Sequence, residues 1–380
     1  MKTVRFGIIG AGLMGREFAS AAARWCHLLD MPARPEIVAV CDKNPSVLEW
    51  YKSNFPSIRQ YADDYRQILA NPDVAAVYCA VPHNLHEEIY CASIKSGKHL
   101  MGEKPFGIDF KANCAILATL KNYPDVFARC SSEFPFFPSV QRIAAMIEQC
   151  SFGQVIEVNA AFLHSSDLDP AKPMNWKRMI EINGEYGCMG DLGMHVCHVL
   201  FRAGWIPENV RAILSNIVKE RPDGKGGRAP CRTWDNATLL CETVDPVAGT
   251  HFPLTLKTQR IAPGEKDTWF LEILGTKASA RFSTKNPKLL QIMEYRGGEQ
   301  VWQHIDMGQE TAFKTITGSI FEFGFSDSIL QMWAAFIYEL AEGKPLNKFS
   351  GCLTPKETAL SHRLFTAALT SQAERSVVII

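Results

Sequence analysis

No C-x-x-C pair occurs in the chain, although it holds twelve cysteines. They are scattered from Cys26 to Cys352, most within apolar stretches such as Val40-Cys41-Asp42 and Tyr78-Cys79-Ala80. At this length and scatter a disulfide framework is not expected, and reduced, mostly buried thiols in a cytoplasmic protein are. Net charge is absent too: 40 Lys and Arg balance 40 Asp and Glu, which argues against a dedicated nucleic-acid binder. No apolar run approaches the ~18–20 residues that cross a bilayer, so no membrane partner is expected. Met1-Lys2-Thr3 leads straight into strand-like residues without an apolar leader and small-residue cleavage site, so no export signal is read. Repeats and low-complexity tracts are missing as well. What is present is a globular composition, 47% hydrophobic and 21% charged over 380 residues. At ~100–200 residues per domain, that length means two domains or three.

The first 130 residues alternate apolar strands with helical periodicity. Strands are predicted at 3–9, 36–42, 75–81 and 98–101, and helices at 13–28 and 85–96. Continuous apolar strands between helices indicate a doubly wound parallel sheet. Near residue 130 the pattern changes. After a helix at 138–150, strands are predicted at 154–164, 209–218, 236–244, 252–261, 268–275, 278–284, 289–296 and 300–306, a mostly antiparallel sheet. A helix at 187–202 interrupts it, and residues 221–228 read as a flexible loop. Two helices close the chain, the last opened by a capping box of Thr354, Pro355 and Glu357. The domains expected are 1–130, 131–350, and a terminal helix and strand over 351–380 that packs back toward the first.

Gly10-Ala11-Gly12-Leu13-Met14-Gly15 fits G-x-G-x-x-G between a strand and a helix, the context a dinucleotide fingerprint requires. Gly10 permits the turn, Gly12 lets backbone approach a pyrophosphate, and Gly15 lets helix and strand pack closely. The helix start offers N–H groups and partial positive charge to phosphates. Asp42 ends the second strand, where a carboxylate accepts ribose hydroxyls and repels a 2′-phosphate. NAD is therefore expected in preference to NADP, with the adjacent Lys43 as the one residue pulling the other way.

Further on, Cys79-Ala-Val-Pro-His-Asn-Leu-His86 is followed by Ser96-Gly-Lys-His and then Glu103-Lys104-Pro105, and later by Asp191-Leu-Gly-Met-His195. Together with the glycine loop these resemble the Gfo/Idh/MocA family of nicotinamide-dependent sugar and polyol oxidoreductases, over essentially the whole chain. The resemblance implies an N-terminal Rossmann fold and a C-terminal α/β domain with a large, mostly antiparallel open sheet. Against the cofactor it implies Leu13, Met14, Ala80, Pro82, Asn84, His86, Glu103, Lys104 and Pro105. As catalytic residues it implies Lys104, Asp191 and His195, and as the assembly a homodimer or homotetramer. Two departures bear on the substrate: His198 stands where the family usually has an acid, and Glu133-Phe-Pro-Phe-Phe137 where it often has an arginine.

Alcohol oxidation needs a base near neutral pKa while hydride leaves, which suits His195. Asp191, four residues earlier on a predicted helix, faces the same side, and Lys104 suits a developing alkoxide. Asp191, His195 and His198 also have metal-like spacing, but the redox cofactor supplies the chemistry and no metal is expected. Trp176 is expected to stack on a sugar, and Lys177 and Arg178 either bind an acidic group or form a solvated basic loop. His164 and Asp167 are candidates of the same kind. The expected function is NAD-dependent hydride transfer at a carbohydrate hydroxyl. The alternative is a glycoside hydrolase that oxidises its sugar transiently, eliminates the aglycone and adds water, with an acidic sugar as one possible substrate. A non-catalytic cofactor-binding sensor is disfavoured by the retained Lys104, Asp191 and His195.

Overall fold

A computed structural model describes residues 1–308, 310–347 and 349–380. The chain divides into two compact units: Met1–Phe136 with Glu310–Gly318 and Gly324–Thr358, and Phe137–Gln309 with Ser319–Phe323 and Ala359–Ile380.

In the first unit, strand β1 (Lys2–Ile9) starts exposed and ends in four buried residues, Phe6 to Ile9. It lies at the centre of a six-stranded parallel sheet with β2 (Ala33–Cys41), β3 (Gln60–Ala62), β4 (Ala76–Cys79), β5 (His99–Gly102) and β6 (Ala128–Cys130), in the order β3-β2-β1-β4-β5-β6. Both wings start from β1, so the chain reverses direction between β1 and β4. Open α/β sheets bind ligands at such a switch point, outside the carboxyl ends of the strands. Helices α1 (Leu13–Ala23), α2 (Leu48–Asn54), α3 (Tyr65–Ala70), α4 (His86–Lys95) and α5 (Phe110–Lys121) connect the strands. Asp64 caps α3 by accepting from the Arg66 amide at 2.9 Å, and Asp109 caps α5 by accepting from the Ala112 amide at 2.8 Å.

The second unit starts with α6 (Pro138–Glu148) and β7 (Val155–Leu163), followed by the one-turn α7 (Ile180–Asn183) and the long α8 (Cys188–Ala203). Strands β8 (Pro207–Ser215), β9 (Glu220–Pro222), β10 (Arg228–Pro230), β11 (Asn236–Val244), β12 (His251–Gln259), β13 (Thr268–Gly275), β14 (Ala278–Ser283), β15 (Leu289–Glu294) and β16 (Gln303–Asp306) come next. The chain closes with α9 (Phe325–Glu342), α10 (Pro355–Glu374) and β17 (Val378–Ile379). Nine strands form one sheet, β16-β15-β14-β13-β7-β12-β11-β8-β17. Only its β7/β12 pair is parallel; the other neighbours run antiparallel. Burial alternates along β11 and β12, so one face is covered. Helix α8 packs on β7, β11 and β12, and every residue in it is buried. The segment read as a loop at 221–228 is largely the turn of a two-stranded hairpin, with Pro222 opposite Arg228.

One boundary differs from the sequence reading. Helix α9, assigned there to the 131–350 segment, belongs to the first unit. The reason is aromatic: Trp333 stacks on Phe18 at 3.8 Å and meets Tyr78 and Phe6 edge-on at 4.9 and 5.7 Å. Residues 351–358 also fall in the first unit and 359–380 in the second. The capping box at Thr354 forms: Glu357 Oε2 accepts from the Thr354 amide at 2.7 Å, and Thr354 Oγ1 accepts from the Glu357 amide at 3.4 Å. Among the described residues, no helix is long and apolar enough to cross a membrane.

Candidate active site

The three glycines of the first loop meet three different surroundings. Gly10 has φ +94°, and a Cβ there would lie 2.3 Å from the Ala80 carbonyl oxygen. At Gly15 a Cβ would lie 2.5 Å from the Gly10 oxygen and 2.8 Å from the Tyr51 hydroxyl. At Gly12 it would meet nothing within 4 Å. Gly10 and Gly15 therefore let the backbone fold onto itself, whereas Gly12 faces open space. The Arg16 amide bonds the Gly12 carbonyl at 3.0 Å, so the Leu13, Met14 and Gly15 amides precede the helical ladder. No acid occupies that first turn. Asp42 completes the cradle: Oδ2 accepts from the Ala11 amide and Oδ1 from the Asn44 amide, both at 2.8 Å. Burial, then the Asp42 charge, pushes the neighbouring Cys41 thiol up to about 12. Open backbone, first-turn amides and a fixed carboxylate fit a dinucleotide.

The next strand end brings up Ala80, whose amide bonds the Ile9 carbonyl at 2.8 Å, followed by the partly exposed Pro82 and exposed Asn84. His86 is fully buried. Its Nδ1 accepts from the Gly107 amide at 3.4 Å, which leaves Nε2–H to donate to the Val81 carbonyl at 3.1 Å. The ring stacks on Tyr90 at 4.7 Å and so ties the loop after β4 to the loop after β5.

Glu103, Lys104 and Pro105 follow β5 directly. The buried Glu103 carboxylate accepts at Oε1 from Tyr78 Oη at 2.7 Å and Ser131 Oγ at 2.6 Å, while Tyr90 Oη donates to its carbonyl at 2.8 Å. Burial and then the Glu103 charge keep the Tyr78 phenol protonated. These bonds hold the residue before Lys104, whose side chain is partly exposed between buried neighbours. The Lys104–Pro105 bond is cis.

In the second unit α8 carries Asp191, His195 and His198, exposed by 1, 4 and 0%. Gly193, between the first two, is explained by its neighbour: a Cβ there would lie 2.4 Å from the Phe365 ring of α10. The His195 carbonyl accepts from Trp269 Nε1 at 2.9 Å. Its ring meets Phe162 edge-on at 5.5 Å, and Phe162 also packs on His164, whose Nε2 lies 3.3 Å from Asp267.

Asp191 sits in an ion-pair cluster. Lys177 Nζ is 3.1 Å from each of its oxygens, and Arg260 Nη1 also donates to it. Arg260 Nε donates to Asp167 at 2.9 Å and Nη2 to Ser166 Oγ at 3.0 Å. Lys172 and Arg178 approach Asp167 at 3.0 and 3.2 Å. Burial disfavours the Asp167 charge, but the Arg260 and Arg178 guanidiniums outweigh it and hold the carboxyl well below its usual range. Burial likewise opposes the Arg260 charge, and Asp191 and Asp167 more than restore it.

Arg178 is not a solvated cation. It is fully buried and donates to Asp235, whose other oxygen accepts from the Ile217 and Val218 amides at 2.5 and 3.0 Å. Trp176 and Lys177 are partly exposed, with the ammonium 5.6 Å from the indole centre. Sequence spacing groups Asp191 with His195 and His198 and does not single out Arg260 or Asp235. The available signal was charge at the end of otherwise apolar alternating strands. Among the described residues, no three His, Cys, Asp or Glu side chains are grouped to hold a metal.

Two family models match the chain: an oxidoreductase family with an NAD-binding Rossmann fold over residues 4–130, and the Gfo/Idh/MocA C-terminal domain over 140–281. Levoglucosan dehydrogenase of Pseudarthrobacter phenanthrenivorans is 25% identical over 306 residues, 77% of this chain and 76% of its own. Glycosyl hydrolase family 109 protein 1 of Bacteroides thetaiotaomicron is 26% identical over 189 residues, 47% of this chain and 38% of its own. A solved levoglucosan dehydrogenase in complex with NADH and L-sorbose superposes with a TM-score of 0.89 at 23% identity, over 100% of this chain and 99% of that one. With both family models matched in order along one polypeptide, this chain belongs to the Gfo/Idh/MocA family of NAD-binding oxidoreductases.

Proposed function

We propose that the protein is an NAD-dependent dehydrogenase that moves hydride between a sugar or polyol hydroxyl and the nicotinamide. The observation that carries the reading is the match to levoglucosan dehydrogenase, which covers 77% of this chain and 76% of that protein. NAD, when bound, accepts the hydride. Lys104 donates to the substrate oxygen and stabilises charge as the alkoxide develops. A ring nitrogen of His195 takes the hydroxyl proton, and Asp191 favours the imidazolium that results. Trp176 and Lys177 bind the sugar, with His164 and His198 beside them. Arg178 belongs beneath these residues, since its guanidinium is committed to Asp235 and Asp167. Asp42 favours NAD over NADP because both its oxygens are already engaged by backbone amides, which fixes its charge where a 2′-phosphate would come.

The active species is a homodimer or homotetramer in the cytoplasm. Ile213 and Leu240, 61 and 53% exposed on adjacent strands of the nine-stranded sheet, favour such an assembly. Light scattering on the purified protein tests it, and a monomer at micromolar concentration would refute it.

A second reading, a glycosidase that oxidises its sugar only transiently, is favoured by the match to the family 109 glycosyl hydrolase, which spans less of both chains. One assay separates the two. Enzyme and NAD are mixed with levoglucosan, L-sorbose, common neutral sugars, uronic acids and aryl glycosides. Stoichiometric NADH from a free sugar supports the dehydrogenase. Aglycone release with a flat NADH trace replaces it with the hydrolase.

A further inference from the structure

We propose that Arg260 is a positioning residue, whose guanidinium fixes the Asp191 carboxylate, charged, on the face of α8 that carries His195. The inference rests on the reading of Asp191 as an active-site group and adds to it the residue through which Asp191 is held.

The geometry is that of a fork rather than a point charge. Three donors of Arg260 go to three acceptors: Nε to Asp167, Nη1 to Asp191 and Nη2 to Ser166 Oγ. A lysine in its place reaches only part of this set. The main chain is fixed as well, since the Arg260 amide donates to the Asp235 carbonyl at 2.9 Å and its carbonyl accepts from the Asp167 amide at 3.3 Å. The side chain therefore has one orientation, and Asp191 is held in turn.

Lys177 and Arg260, both bonded to Asp191, differ in kind. The Lys177 side chain is 30% exposed and that of Arg260 7%. An incoming hydroxyl can draw Lys177 away, whereas Arg260 is anchored by Asp167 and stays. Asp191 then keeps its charge and direction while the lysine turns to substrate. Stability alone is a poor reason for such a cluster, because desolvating buried charges offsets most of their attraction. Buried ionisable networks of this kind concentrate at functional sites.

The charged and titratable groups around Asp191 include Lys177 from the 176–178 turn and Arg260 from the end of β12. Asp167 and Arg178 lie behind Arg260, and Cys188 and His195 are on α8 itself. Removing Arg260 takes away the innermost cation. Loss of an adjacent opposite charge raises a carboxyl midpoint by about one to three pH units.

The test needs no substrate. Carboxyl-carbon NMR of aspartate-labelled protein follows Asp191, assigned by the signal lost in Asp191→Asn. In Arg260→Gln the Asp191 midpoint is expected at least one pH unit above wild type, and an unchanged midpoint in the folded variant overturns the inference. If Arg260→Gln does not fold by circular dichroism, Asp167→Asn/Arg260→Gln is compared with Asp167→Asn, so that only Arg260 differs, and the same rise is expected. An unchanged midpoint in that protein also overturns it. Turnover on the sugar panel above separates the two layers. An Asp191→Asn enzyme at wild-type rate removes Asp191 from the active site whatever the NMR shows. A dead Asp191→Asn enzyme beside an Arg260→Gln enzyme with an unmoved midpoint discards Arg260 alone.

Discussion

Asp42 Oδ2 accepts the Ala11 amide at 2.8 Å, so the carboxylate at the end of β2 is bonded to the glycine loop itself. The residue proposed to receive the ribose also holds the loop proposed to receive the pyrophosphate. Asp42→Ala should therefore weaken NADH binding by about 10–100-fold, more than one ribose contact accounts for, since a tenfold change is about 1.4 kcal/mol. Fluorescence titration with NADH and NADPH measures it. The ratio of NADPH to NADH affinity should rise, and a fall in that ratio contradicts the assigned role.

Gly10 and Gly12 should part company under the same substitution. Gly12→Ala meets no neighbour and should leave the melting temperature within a degree or two of wild type while cutting cofactor affinity. Gly10→Ala forces a Cβ onto the Ala80 carbonyl at positive φ. The left-handed backbone alone costs about 1–2 kcal/mol, so this protein should melt several degrees lower. Equal melting temperatures would refute the distinction.

Lys104→Met should reduce kcat by about 10²–10³ and change the NADH dissociation constant less than threefold. Near-normal turnover with any active sugar takes Lys104 out of the chemistry.

Acid should act through Asp167. Its folded-state pKa lies below the unfolded value of 3.8, so its contribution to stability is complete above that value and fades as pH falls below it. Asp167→Asn should be less stable than wild type in urea at pH 7 and at pH 5, with the gap starting to narrow only below pH 4. A gap that widens toward acid reverses the sign and rejects the ion-pair account.

At Gly193 the contact is with a ring. Gly193→Ala presses a methyl onto Phe365, and overpacking of this kind typically costs about 1–3 kcal/mol. Adding Phe365→Leu should recover part of the loss. A double variant as unstable as the sum of the two single ones would show that the ring is not the obstacle.

The glycine loop, the parallel sheet and most strands of the second sheet were legible because each depends on short-range pattern: Gly spacing, apolar runs and alternation. Strands β3 and β6, three residues each, are too short to show a period. The surroundings of Asp191 were hidden for another reason. Lys177, Arg260 and Asp167 are separated from it by 14, 69 and 24 positions, and only folding reveals that a guanidinium from the end of one strand joins carboxylates from two other segments. Basic residues at 172–178 looked alike in sequence, but burial divides them into Arg178, locked inside, and Lys177, partly open to solvent. Helix α9 was misplaced because its partner residues, Phe6, Phe18 and Tyr78, lie some 250 or more positions away.

That last separation has a consequence for how the protein is made. Trp333 covers Phe6, Phe18 and Tyr78, yet it leaves the ribosome 255 or more residues after each of them. Until then the nascent nucleotide-binding sheet carries an uncapped aromatic face, exposed for as long as some two hundred further residues take to emerge. A fragment ending at Phe136, though it holds every strand of the six-stranded sheet and the whole glycine loop, should be a sticky, chaperone-dependent species, and supplying residues 310–358 in trans should quiet it.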